Sequence, residues 1–174
     1  MIRFLPLLFA FCLPAPATAQ HAHEHGAARL DVVVDQGRLA ISLESPLDNL
    51  VGFEHAPRDD RQRAALAQMT ENLQAGERLF KLPPAAGCKV ERVAVAQPYQ
   101  DAVKNKSSAE KATSEHADVQ AIWEFVCAKP AALDRIDVQL FDVFRGVKRI
   151  RTQTVTAKGQ GAATLTAAKR TLAF

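Results

Sequence analysis

The chain has 174 residues, 48% of them hydrophobic and 24% charged. That length and balance fit one globular domain with a real core and exclude wholesale disorder. A net charge of +3 is too small to suggest a nucleic-acid-binding face.

Residues 1–19 stand apart from the rest. "MIRF" supplies one positive charge, "LPLLFAFCL" a short apolar run, and "PAPATA" ends in the small-x-small pattern Ala17-Thr18-Ala19. This predicts a secretory signal cleaved before Gln20. The run is shorter than the roughly 20 residues that span a bilayer, and prolines interrupt it, so no stable membrane insertion is expected. Cys12 follows the bulky Phe11, which argues against lipid anchoring. Cleavage removes Arg3 and Cys12, lowering the net charge from +3 to +2 and leaving Cys88 and Cys127. A cysteine pair in an exported chain suggests a disulfide, with buried thiols or a two-cysteine zinc site as alternatives. Such a bridge closes a loop of about 40 residues and is worth roughly 3 to 4 kcal/mol in the chain-entropy model.

In the single domain expected over 20–174, "ARLDVVVD" puts Leu30, Val32 and Val34 on one face, and "RLAISLES" resumes the alternation after the turn "DQG". Residues 27–45 therefore read as a hairpin, stopped by Pro46. "PLDNLVGFEHAP" is an irregular, rather apolar connection. From Asp59 to Phe80, Leu66, Met69, Leu73, Gly76 and Phe80 recur at helical spacing, which predicts the one long helix. "CKVERVAVAQ" is a strand whose uneven alternation hints at a bulge. Residues 98–115 are polar and aperiodic and predict a flexible loop. "HADVQAIWEFVCA" is a strand with Trp123 and Phe125 on one face, and "RIDVQLFDVF" alternates through Ile136, Val138 and Leu140. Gly146 and "VKRIRTQTVTAKG" suggest a further hairpin, followed by one or two short strands. Strands joined without crossover helices imply an α+β fold: a mainly antiparallel β-sheet with one long helix packed against it.

Five histidines, His21, His23, His25, His55 and His116, are the chemically conspicuous residues. Imidazole suits borderline metals, although surface histidines are commonly idle. If the first strand extends back through residue 23, His23 and His25 project on one side. Zinc needs four ligands, so the pair must be completed elsewhere, and His55 and His116 are the remaining histidines. Glu54 and Asp118 lie beside them and are candidates for ligation or for orienting an imidazole. His21, nearest the cleavage point, is an additional candidate. There is no G-x-S-x-G, H-E-x-x-H or P-loop, and no nucleophile with an evident base, so no enzyme is expected.

"HAHEHGAARLDVVVDQGRLAISLESPLDNLVGFEHAP", "LFKLPPAAGCKVERV", "HADVQAIWEFVC", "LFDVF" and "TAKGQGAATLT" together resemble the ZrgA-type periplasmic zinc-uptake proteins of Gram-negative bacteria, once catalogued as a domain of unknown function. The resemblance covers nearly the whole mature chain. It implies a periplasmic Zn2+ binder that buffers zinc or passes it to the binding protein of an ABC-type importer. It also implies ligation by His23, His25, His55 and His116, and Cys88 and Cys127 match the family's cysteine positions. Two departures stand out: "DAVKNKSSAEKATSE" has no histidine where many members carry a histidine- and aspartate-rich insert, and "FRG" at 144–146 lacks an expected proline. Two other functions fit the residues. One is copper handling, with amine, amide and imidazole nitrogens of the N-terminal histidines around copper(II). The other is an interaction module whose histidines are incidental.

Overall fold

The computed structural model describes residues 24–100 and 117–174. The expected leader, His21, His23, His116 and residues 101–115 of the polar segment lie outside the described residues. The alternation read in the first hairpin is its physical basis. β1 (Ala27–Asp35) and β2 (Arg38–Pro46) pair antiparallel from Arg29↔Glu44 to Asp35↔Arg38. Gln36 and Gly37 both take positive φ, at 45° and 84°, and this turn conformation matches the twist of its strands.

Six strands form the main sheet in the order β4-β5-β2-β1-β7-β8. β4 is Cys88–Ala96, β5 Asp118–Cys127, β7 Arg149–Thr156 and β8 Gly159–Thr166. The bulge expected in β4 is present as a register shift between Val90 and Arg92. One pairing departs from the antiparallel expectation: β1 and β7 run parallel, from Ala27↔Arg149 to Val33↔Val155. β7 is reached only after the chain has built most of the fold, so no hairpin turn dictates its direction. The remaining neighbours are antiparallel, and the α+β class holds.

One face of this sheet is the core. Leu30, Leu39, Ile41, Trp123 and Ile150 are fully buried, whereas Val33, Ile122, Val126 and Val155 on the other face are over 40% exposed. A one-sided antiparallel sheet produces this pattern. The core face is covered by α2 (Asp60–Gln74), which buries Leu66, Met69 and Leu73. Asp59 caps it, accepting from the Gln62 N–H at 2.8 Å, while Gln62 Oε1 accepts from the Arg58 N–H at 2.7 Å.

The helix is shorter than the sequence pattern suggests. It stops at Gln74, and α3 (Gly76–Leu79) and β3 (Phe80–Lys81) follow. Trp123 decides this end. Its indole Nε1 donates to the Leu73 carbonyl at 2.7 Å, and its ring meets Phe80 edge-on at a centroid distance of 4.8 Å. β3, β6 (Arg135–Val138) and β9 (Thr171–Ala173) form a second, three-stranded sheet in the order β3-β6-β9. "RIDVQLFDVF" is therefore not one strand: after Val138 the chain turns into α4 (Leu140–Val143). Leu140 and Phe141 are both buried there, a demand that consecutive residues of a strand facing one core cannot meet.

Cys88 and Cys127 stand directly opposite each other at the ends of β4 and β5 and are disulfide-bonded, which selects the bridge among the three readings of the pair. Tyr99, at the start of the segment expected to be loose, is 4% exposed. A β-carbon at Gly76 would lie 2.6 Å from Trp123 Cδ1. Because Trp123 is wholly buried, Gly76→Ala is expected to cost about 1 to 3 kcal/mol in urea unfolding, as overpacking does, with the free energy dropping and the m-value unchanged.

Candidate metal centre

The first strand does not run back to residue 23. It begins at Ala27, and Glu24 to Ala27 form a tight turn in which the Ala27 N–H donates to the Glu24 carbonyl at 2.9 Å. Gly26 at its third position has φ 79°, the left-handed conformation that a type II turn requires. His25 therefore stands on a turn, and the same-face pairing with His23 expected for a strand does not describe it.

The turn is held from two sides. On one, the Gly26 N–H donates to Asn49 Oδ1 at 2.7 Å, and Asn49 Nδ2 donates to the Ala27 carbonyl at 2.9 Å and to Ser45 Oγ at 3.3 Å. On the other, the Gly26 carbonyl accepts from the N–H groups of Lys148 and Arg149 at 2.8 and 3.0 Å. Glu24 is taken up by ion pairs with Arg149 and Arg151. Asn49 belongs to α1 (Leu47–Val51) and is 3% exposed. Gly146 is where it is because a β-carbon there would meet the Asn49 backbone at 2.3 Å.

Asp48 immediately precedes Asn49, so the amide that clamps the turn also brings a carboxylate to the imidazole. Asp48 Oδ2 lies 2.5 Å from His25 Nδ1. After α1, Gly52 takes φ 84°, its N–H donating to the Asp48 carbonyl at 2.8 Å, and the chain doubles back toward the same point. The Tyr99 hydroxyl donates to the Glu54 carbonyl at 2.8 Å and holds that segment. One ligand atom each of His25, Asp48 and Glu54 falls within 4.8 Å of the other two. Asp48 Oδ1 is buried and accepts no hydrogen bond among the described residues. A buried carboxylate oxygen without a donor is an unmet demand that a cation satisfies. One imidazole and two carboxylates are donors that zinc accepts, and the disulfide removes both thiolates that a softer metal prefers.

The other residues expected at the site are distributed as follows. His55 does not join the group of three. Its Nδ1 lies 2.8 Å from the Ala56 carbonyl, and its ring stacks on Phe53 at 5.2 Å. Nδ1 must carry the proton to bond that carbonyl, which leaves the Nε2 lone pair available. Asp118 opens β5 opposite Pro46, and the neighbouring Ala117 carbonyl accepts from the Leu47 N–H at 2.7 Å. The start of β5 thus adjoins the start of α1. His21, His23 and His116 lie outside the described residues, and with them the terminal copper site. Asp48 escaped the sequence reading. Its signal was a lone carboxylate inside the apolar connection "PLDNLVGF".

A family profile described as ZrgA family zinc uptake protein matches residues 22–174. The chain belongs to the ZrgA family. No curated protein matches it. The ZrgA span includes Asp48, Glu54 and every histidine except His21. The family's description names zinc uptake, and ZrgA membership is consistent with an extracytoplasmic protein. No described helix is long and apolar enough to cross a membrane.

His25 has its pKa raised from 6.5, first by the hydrogen bond it donates to Asp48 and then by the charge of Asp48; desolvation opposes this, and the charge of Glu54 adds the smallest part. A raised histidine pKa means that the His25–Asp48 pair contributes fully below pH 6.5, and that its contribution is lost as pH rises through the raised value. In metal-free protein, NMR titration is expected to give His25 a midpoint above 6.5, moving down in Asp48→Asn. Asn49→Ala strands the Gly26 N–H and the Ala27 carbonyl and is expected to cost about 2 to 4 kcal/mol by chemical denaturation.

Proposed function

We propose that this protein is a periplasmic zinc binder that assists zinc acquisition, buffering the ion or passing it to the periplasmic binding protein of an ABC-type importer. The convergence of His25, Asp48 and Glu54 within 4.8 Å carries this reading, with the zinc-uptake family of the chain and the donor-less Asp48 Oδ1 in support. Zinc is cargo here, and the protein catalyses no reaction. His25, Asp48 and Glu54 supply three ligands. The fourth comes from His23, His55 or His116, the histidines that the family resemblance implies. His25 is largely exposed and Asp48 and Glu54 are half-buried, a placement suited to exchange with an acceptor. Export to the periplasm accords with the leader-like residues 1–19 and with a disulfide that persists in an oxidising compartment.

Calorimetric zinc titration of the mature, metal-free chain tests this. About one tight zinc per chain is expected at neutral pH from one four-ligand site, weakened about tenfold or more by His25→Ala, Asp48→Ala or Glu54→Ala. The same titration on His23→Ala, His55→Ala and His116→Ala identifies the fourth ligand. Zinc must displace the His25 proton, so affinity is expected to fall as pH drops through a value above 6.5. No zinc binding at neutral pH, or binding indifferent to all three substitutions, refutes the proposal.

A further inference from the structure

The two edges of the main sheet are built differently. β4 carries a bulge between Val90 and Arg92 and the charged residues Lys89, Glu91 and Arg92, with Glu91 paired to Arg38. Bulges and charges are what keep foreign strands off an edge. β8, "GQGAATLT", has neither charge nor proline. It follows β7 without a register shift from Thr156↔Gly159 to Arg149↔Thr166, and it is largely exposed.

Its hydrogen-bonding groups point outward in a defined way. Thr166 exchanges both backbone bonds with Lys169, each at 3.0 Å, so its N–H and carbonyl face away from β7. The alternation of an antiparallel ladder turns those of Thr164, Ala162 and Gln160 the same way. The Ala163 carbonyl faces inward, where the Thr152 hydroxyl also donates to it at 3.0 Å. No other described segment pairs with Thr164, Ala162 or Gln160.

The stretch of chain that contains β8 is also basic. From 143 to 174 the sequence has seven Lys and Arg and no Asp or Glu, although the whole chain carries only +3. Glu24 takes up Arg149 and Arg151, and Asp142 pairs with Arg170. Lys158 donates to the Phe174 main-chain oxygen and Lys148 to the Arg145 carbonyl, and Lys148 and Lys169 have no acidic partner among the described residues. Lys158 and Lys169 stand just beyond the two ends of β8.

We propose that the open edge of β8 docks an extended, acidic segment of a partner protein, which adds a strand to the sheet. Backbone bonds to Gln160, Ala162 and Thr164 supply affinity, and the flanking lysines select acidic ends. A second copy is disfavoured as occupant: antiparallel pairing of two β8 strands sets Lys158 of one near Lys169 of the other. A lipid surface answers the charge but leaves the row of backbone groups unused.

The test uses the mature chain and fluorescein-labelled peptides of alternating threonine and valine, ended by glutamates or by lysines. A third peptide keeps the glutamates but is N-methylated at consecutive central nitrogens, which blocks both of its edges. By fluorescence anisotropy the glutamate peptide is expected to bind more tightly than the lysine peptide, and the methylated one roughly tenfold more weakly, the value of one or two backbone hydrogen bonds. Ala162→Pro removes one outward N–H and should weaken binding similarly, its fold verified by circular dichroism. If that variant unfolds, the methylated peptide on the unaltered protein decides alone. The proposal fails if the glutamate peptide does not bind, or if methylation or charge reversal makes no difference. It fails equally if sedimentation shows a dimer lost on Ala162→Pro, which makes a second copy the occupant. Binding to phosphatidylglycerol vesicles without peptide binding assigns the edge to a lipid surface and overturns it as well.

Discussion

One buried carboxamide organises the proposed site. Asn49 uses its oxygen for the Gly26 N–H and its nitrogen for the Ala27 carbonyl and the Ser45 hydroxyl, replacing backbone partners that the first turn of the described chain would otherwise lack. Since a buried unpaired amide or carbonyl costs about 1 to 3 kcal/mol, the turn and α1 are bound to one arrangement. His25 then has no freedom to leave Asp48 by movement of its backbone, and only its side-chain torsions remain. Gly146 completes the arrangement by letting the chain before β7 pass against the Asn49 backbone. The missing proline of "FRG" falls in this crossing, at a turn against the helix that carries Asp48.

The scaffold behind the clamp is rigid for a separate reason. Trp123 fills the centre of the core, bonds the last turn of α2 and excludes any side chain at Gly76. α2 is thereby fixed across the sheet, while α1 carries Asp48 in its first turn. The candidate ligands sit on a turn, a five-residue helix and the irregular segment after it, elements too short to hold a conformation by themselves. The sheet, Asn49 and Tyr99 hold them instead.

Electrostatics gives the proposed site two alternative occupants. Without metal, Asp48 and Glu54 favour a proton on His25; with zinc, the same carboxylates serve as ligands. One cluster of negative charge thus stabilises either cation, and the ion must compete with a proton that the protein itself holds more firmly than free imidazole would.

Much of the architecture was legible in the sequence because period-two alternation in β1, β2 and β5 reports one buried face directly. The histidine-rich stretch and "PLDNLVGFEHAP" marked the two halves of the candidate site, and the cysteine pair marked the bridge. What stayed illegible was set by contacts distant in sequence. α2 ends at Gln74 because Trp123, about fifty residues on, takes the Leu73 carbonyl in the helix's last turn, and the apolar pattern continuing to Phe80 could not reveal it. α4 interrupts an apparently good strand because Leu140 and Phe141 must both enter the core. Asp48 sat unremarked in an irregular apolar connection, since nothing local shows that its neighbour clasps a turn more than twenty residues upstream. By itself the sequence determined which residues are apolar, which turns need glycine and which side chains offer metal donors, all properties of single residues and their spacing. Only the tertiary structure decided that His25, Asp48 and Glu54 meet, because proximity across 30 residues depends on hydrogen bonds and packing that exist only once the sheet has closed the chain on itself.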